Sequence, residues 1–311
     1  MALLVDTVPG NRLGRAMGII GFATSLGILL GPLLGGVLYQ QCGYYAVFGV
    51  AFGVLGVDLF LRLVIIEKAV AQKWMGEDIL MDHQLSEPTQ NGSAVHVSRC
   101  QPLLVLLCSG RMAAAFYGYF VLASLTTAFD SVLPLFVERL FGWGQTGQGL
   151  IFIPIFVPHF LEPCTGMILD RFANSGRFLV AAAFLLMAPL LALLQLVTHD
   201  SIGQMVLLSV LLALVGVCVA VALPPLLVEV AYLIDTIQRD NLGIFGQSGA
   251  TAQGYGLLNA AFAAGSLVGP IWAGMVRDKY GWATMSWSLA ILSGFTAVVQ
   301  FCFLGGRIRL S

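Results

Sequence analysis

Residues 18–44 read GIIGFATSLGILLGPLLGGVLYQQCGY, and residues 256–282 read GLLNAAFAAGSLVGPIWAGMVRDKYGW. The two stretches align without a gap, 238 residues apart. Gly18/Gly256, Gly27/Gly265, Gly31/Gly269, Pro32/Pro270, Gly36/Gly274 and Gly43/Gly281 coincide. Both copies carry GxxxGPxxxG, followed seven residues on by a glycine and an aromatic residue. Just upstream, LLVD at 3–6 echoes LLVE at 226–229. Glycines four apart flatten one face of a helix for close contact. The proline removes one backbone hydrogen bond and bends the helix. Small residues at this spacing are common wherever membrane helices touch; recurrence at matched positions indicates an internal duplication.

The stretches around the repeat show its setting. Of 311 residues, 58% are hydrophobic and only 10% charged, with 36 glycines, and the mean hydropathy is +0.90. So few charges cannot cover a surface facing water, whereas lipid removes that need. Eight apolar segments are long enough to cross about 30 Å of hydrocarbon. They lie near residues 16–40, 44–66, 112–136, 148–169, 178–198, 204–228, 254–276 and 283–304, spans one to eight below. Residues 102–110 are too short to cross and read as an interfacial piece leading into span three. The repeat copies fall in spans one and seven, six spans apart, so they cross the membrane in the same sense.

With the N-terminus placed in the cytoplasm, twelve of the 15 Lys and Arg residues fall on the cytoplasmic side. Only Arg139, Arg277 and Lys279 fall opposite, the bias expected of cytoplasmic loops. The sequon Asn91-Gly92-Ser93 is then cytoplasmic and expected to stay unglycosylated. The predicted organisation has three parts. Residues 1–66 are a two-helix remnant of an N-terminal bundle, 67–111 a flexible cytoplasmic linker, and 112–311 a six-helix C-terminal bundle. A second, shorter polar loop runs from about 233 to 252.

Several function classes are disfavoured. A net charge of −1 gives no reason to expect a nucleic-acid partner. The six cysteines are scattered, without CxxC or a Cys/His cluster, so no metal and no cofactor is expected. No nucleotide loop or nucleophile–base arrangement points to an enzyme. No cleavable signal peptide is expected either.

The motifs carry a family resemblance. Gly27-xxx-Gly31-Pro32-xx-Gly35-Gly36 resembles the antiporter motif in helix 5 of proton-coupled drug exporters of the major facilitator superfamily. Residues 3–18 resemble the preceding loop, and GMILDRFANSGR at 166–177 resembles the loop motif G-x-x-x-D-R-x-G-R-R between helices 8 and 9, with extra residues between Arg171 and Arg177. The segments 127–154 and 254–282 resemble fungal metabolite or toxin exporters and vesicular amine transporters. The resemblance covers essentially the whole chain. It implies an all-α membrane protein, a partial major facilitator fold with eight transmembrane helices corresponding to helices 5 to 12. The expected reason for the absence of helices 1 to 4 is a truncated gene or gene model.

Ionisable groups within spans are costly in lipid, so each invites a functional reading. Tyr119, Thr126 and Asp130 share a face of span three, a candidate proton or cationic-substrate site; the alternative for Asp130 is an acid at the lipid–water boundary. His159 and Glu162, three residues apart in span four, share a face and can bind and release a proton, or form a purely structural pair. Asn259 in span seven is a candidate substrate contact, with an interhelical bond as the alternative. The resemblance implies that Asp170, Arg171 and Arg177, with Glu229 at the end of span six, are gate and loop charges. Asp58 and Arg62 read as a local ion pair. Gly27, Gly31, Pro32, Gly36, Gly265, Gly269, Pro270 and Gly274 are the candidate interface motif where two bundles rock, about a helix 5/helix 11 interface. Pro154, Pro158, Pro163, Pro224 and Pro225 are candidate kinks in spans four and six.

The function expected from these features is secondary transport. Export of a small organic molecule (a drug, toxin or secondary metabolite) is driven by protons through alternating access. The partners are the lipid bilayer, the substrate and protons, and the location is the plasma membrane, or a vacuolar or vesicular membrane. The alternative is a truncated, non-transporting membrane fragment or an assembly partner.

Overall fold

The computed structural model describes residues 12–64, 109–172, 175–240 and 250–304. The LLVD stretch, most of the 67–111 linker with its sequon, nearly all of the 102–110 piece and much of the 233–252 loop lie outside the described residues. Every long element described is a helix: Leu13–Cys42, Tyr44–Val64, Gly110–Phe141, Gln145–Arg171, Ser175–Leu193, Ile202–Asp240 and Ala250–Phe303. Among the described residues, seven helices are long and apolar enough to cross a membrane. The last contains two crossings. Gly281 breaks its helical geometry at φ 87° and ψ 175°. Beyond it the chain doubles back, so that Trp272 Nε1 donates to Ser288 Oγ at 3.1 Å across the corner. The protein is therefore an all-α membrane protein, with eight crossings among the described residues.

The corner explains one element of the sequence repeat. Gly43, between spans one and two, has φ 80°, and its counterpart Gly281 has φ 87°. Both lie in the left-handed region that a side chain disfavours. The last matched glycine of each copy thus turns one span into the next. The repeat leaves a second trace where its copies meet. Tyr255 Oη lies 4.0 Å from Met17 Sδ, and these residues hold equivalent positions in the two copies.

Span one as far as Val37 groups with spans three to eight in one compact unit; residues from Leu38 through span two form another. In the larger unit the usual polarity of a globular protein is reversed. Leu185, Leu186, Ile291 and Phe295 are exposed, whereas Ser124, Ser286, Ser293, Thr296 and Gln300 are buried. Hydrocarbon outside and hydrogen bonds inside is the arrangement lipid imposes. Ser293 Oγ donates to Phe184 O at 2.8 Å, and Gln300 Nε2 to Ala114 O at 2.8 Å, fixing span eight against spans five and three. Trp282 stacks on Phe136 and donates to Leu194 O at 2.8 Å. In the smaller unit, span two buries none of its residues, and Arg62 is bonded to Asp58 at 2.7 Å, the local pair its spacing suggested.

Span four is not a uniform helix. It runs as α-helix over Gln145–Leu150 and Phe152–Phe156, tightens to a 3-10 turn at Val157–Leu161, and resumes at Glu162–Arg171. Pro158 and Pro163 bracket the change, each within the first two positions of its segment. A proline tolerated at a helix start is a reason for a new start there. Pro224 and Pro225, by contrast, sit inside an unbroken Ile202–Asp240 helix.

Candidate functional site

The contact between spans one and four positions the most unusual side chains. The two helices run antiparallel from the Gly14–Gly166 contact to the Gly36–Gln145 contact. A Cβ built on Gly14 would lie 2.5 Å from Gly166 O, one on Gly18 2.5 Å from Glu162 O, and one on Gly36 2.6 Å from Gln145 O. Gly149, near the other end, would place its Cβ 2.8 Å from Pro32 O. Only glycine fits at such distances. From Gly14 to Gly36 a helix rises about 33 Å, comparable with a bilayer's hydrocarbon core of about 30 Å.

Ser25 stands halfway along this line, about 16 Å from either end. Its hydroxyl donates to Glu162 Oε1 at 2.9 Å and lies 3.1 Å from His159 Nδ1. His159 Nδ1 also bonds Glu162 Oε1. The 3-10 turn explains the pairing, because side chains three residues apart eclipse in that geometry. Glu162 is fully buried, His159 nearly so, and Ser25 is buried. With Ser25 and the imidazole both on Oε1, Glu162 Oε2 has no hydrogen-bond partner among the described residues. That oxygen points at Gly21, one turn before Ser25, where a Cβ would collide with it. Phe156 stacks near the imidazole at 5.3 Å, and Tyr119 of span three is within electrostatic reach of Glu162.

The other sequence candidates are distributed around this cluster. Tyr119 is buried against Phe262, 5.3 Å between ring centroids. The Thr126 hydroxyl is taken up by its own helix, donating to Leu122 O and Ala123 O. Asp130 is half-buried, and no hydrogen bond among the described residues joins it to the His159–Glu162 pair. Asn259 is exposed. Asp170 accepts the backbone N–H groups of Gly14 at 2.7 Å and Arg15 at 2.9 Å, so the loop carboxylate caps the start of span one. Arg171 lies over Phe172 and Arg177 over Phe178, 5.8 and 5.0 Å from the ring centres. Glu229 is gripped by Arg111 at the start of span three, with Nη2 at 2.6 Å and Nε at 3.1 Å.

The interface glycines divide within each copy, and Gly36 packs on span four. Gly265 and Gly269 press on span three, where their Cβ atoms would come 2.9 Å from Ala123 Cβ and 2.8 Å from Ser124 Cα. Gly27, Gly31 and Gly274 meet nothing within 4 Å among the described residues. Span one uses a different stripe, Gly14, Gly18, Gly21, Ser25 and Gly36, and its partner is span four. Span seven reaches span one through the Met17–Tyr255 contact near one end. Sequence reasoning missed Ser25 and Gly21; the signal was the four-three-four spacing of 14, 18, 21 and 25, which places small residues on one helix face.

Comparison with known proteins agrees with this architecture. The Major Facilitator Superfamily profile matches residues 1–246. The chain is 32% identical to the MFS-type transporter ppzB of Metarhizium rileyi, over 98% of this chain and 71% of that one. It is 25% identical to the multidrug resistance protein MdtG of a Rahnella species, over 98% of this chain and 66% of the relative. In fold it is similar to the crystal structure of the human organic anion transporter MFSD10 (TETRAN), with a TM-score of 0.56 at 20% identity, covering 96% of this chain and 66% of that one. The chain belongs to the Major Facilitator Superfamily. It is a multi-pass membrane protein of a transporter family and not an enzyme.

Proposed function

We propose that the protein is a secondary active transporter that exports a small organic molecule (a drug, toxin or secondary metabolite) in exchange for protons. The observation that carries the reading is Asp130, a half-buried acid in span three that no hydrogen bond among the described residues holds. A carboxyl group in a span costs roughly 2.5–3.5 kcal/mol on insertion scales, and such a group marks an ion or proton path. Thr126, one turn away, shares its face. The name of the bacterial relative, a multidrug resistance protein, supports export of organic compounds.

In this reading spans one and two belong to one bundle and spans three to eight to the other. The glycine line between spans one and four is the seam on which they rock. Asp170 on the span one N-terminus holds one end of that seam shut, and Glu229 on Arg111 ties span six to span three within the larger bundle. Substrate and protons take turns at the acid while the seam opens at alternate ends. The membrane is the plasma membrane, with vacuolar and vesicular membranes as the alternatives.

The test is efflux from proteoliposomes carrying an imposed pH gradient, screened over a panel of organic anions, cations and neutral metabolites. Asp130→Asn should abolish gradient-driven efflux of any compound the unaltered protein moves. Undiminished efflux by Asp130→Asn would remove that residue from the mechanism.

A further inference from the structure

The Ser25–His159–Glu162 cluster is not needed to hold spans one and four together. Gly14, Gly18 and Gly36 already bring the backbones into contact on both sides of it. Apolar side chains at the centre of that line would seal it at lower cost than a carboxyl group. The cluster is also incompletely satisfied: Oε1 receives two partners, while Oε2 faces the Cα of Gly21. An unpartnered oxygen on a fully buried acid, at the middle of a helix seam, is an atom positioned to take a proton.

We infer that this cluster is a proton-operated latch, in which a proton on the Glu162–His159 pair closes span one onto span four and its loss releases them. The inference rests on the proton-exchange reading above and adds to it a second site, distinct from Asp130. The proton balance is simple. With Glu162 ionised and His159 neutral, the pair carries one negative charge in a dry seam. One proton from water cancels that charge, and no other bond is made or broken. The neutral pair tolerates lipid depth, so span one stays docked with the Ser25 hydroxyl on Oε1. When the proton leaves, the charge demands water. Water enters only if span one withdraws Ser25 and Gly21. Docking and protonation therefore favour each other by the same factor.

Few other groups could take the proton instead. Among the described residues span one offers only the Ser25 hydroxyl beside the pair, and span three offers Tyr119. On span six Glu229 is bound to Arg111, and Cys218 is a buried thiol. On span four itself Asp170 is bonded to the N–H groups of Gly14 and Arg15.

The experiment needs no substrate. The full chain, in liposomes, is followed by hydrogen–deuterium exchange over residues 13–37 at acid and alkaline pH, corrected for intrinsic exchange. Infrared difference spectra of the same samples report protonated carboxyl groups. In the unaltered protein, protection of residues 13–37 should fall by at least about fivefold from acid to alkaline pH, the lower end of ordinary coupling. Glu162→Gln, which imitates the protonated acid, should stay protected at both and lack one carboxyl band. Ser25→Ala keeps both ionisable groups and should exchange faster than the unaltered protein at acid pH, with its carboxyl band shifted in frequency. Asp130→Asn should leave the span one response intact. A pH response in Glu162→Gln equal to that of the unaltered protein, or a Ser25→Ala indistinguishable from it, overturns the latch. Loss of proton-driven efflux alone would speak only to the transport reading.

Discussion

Replacing Gly18 by alanine adds one methyl group where the seam has no room. The new Cβ would sit 2.5 Å from Glu162 O, 2.9 Å from Glu162 C and 2.9 Å from Pro163 Cα. All three are backbone atoms, so no side-chain rotation can relieve them. An ordinary carbon–oxygen contact is about 3.3–3.6 Å, which forces the helices apart by about 1 Å. The neighbouring bonds have little slack. Ser25 Oγ to Glu162 Oε1 at 2.9 Å and Gly14 N to Asp170 at 2.7 Å would stretch beyond useful length. Overpacking costs about 1–3 kcal/mol, and weakened charged hydrogen bonds add about 1 kcal/mol or more, for a total of about 2–4 kcal/mol. The control is Gly27→Ala, in the same helix and the same kind of motif, where nothing lies within 4 Å. Alanine is the better helix former by up to about 1 kcal/mol, so that change should be neutral or stabilising. Unfolding of the purified protein in mixed micelles titrated with sodium dodecyl sulfate measures both. Equal losses at the two glycines, or a larger loss at Gly27, would refute the assignment of the packed face.

Two further changes probe one end of the seam and an ion pair inside the larger bundle. Asp170→Ala removes both acceptors from the start of span one and should cost about 1–2 kcal/mol in the same titration, with Asp170→Asn losing less because one oxygen remains. For Arg111 and Glu229 the double-mutant cycle of Arg111→Ala and Glu229→Gln should give a coupling near the low end of about 0.5–3 kcal/mol, since the arginine side chain is 34% exposed and solvent screens it. Strictly additive losses would mean that the ion pair contributes nothing.

Much of the architecture could be read from residue order because lipid imposes coarse rules. Apolar length set the spans, and the repeat's last glycine was matched in both copies, although its place at two left-handed corners, Gly43 and Gly281, came from the structure. The pairing of His159 with Glu162 followed from their spacing, and the 3-10 turn made it closer than an α-helix would. What could not be read was which glycine stripe of span one finds a partner. Gly14, Gly18 and Gly21 are followed by Gly27, Gly31 and Gly35, and both series permit contact. In span one the GxxxGP pattern drew attention to Gly27 and Gly31, which meet nothing within 4 Å among the described residues. The role of Asp170 was hidden for another reason. Its partners are backbone N–H groups 155 and 156 residues away, and a main-chain donor leaves no mark in side-chain identity. Ser25 was overlooked as a lone hydroxyl among apolar neighbours. Its meaning depends on an acid 137 residues further along.

The corner at Gly281 limits how this sequence can vary in length. One residue reverses the chain, so the two limbs share a fixed phase about their axes. Inserting a single amino acid there would rotate everything downstream by about 100°. Ser293, Thr296 and Gln300 would swing from their partners toward hydrocarbon. Substitution around the bend is tolerable in many forms, but a change of loop length would unscrew the last helix from its seat.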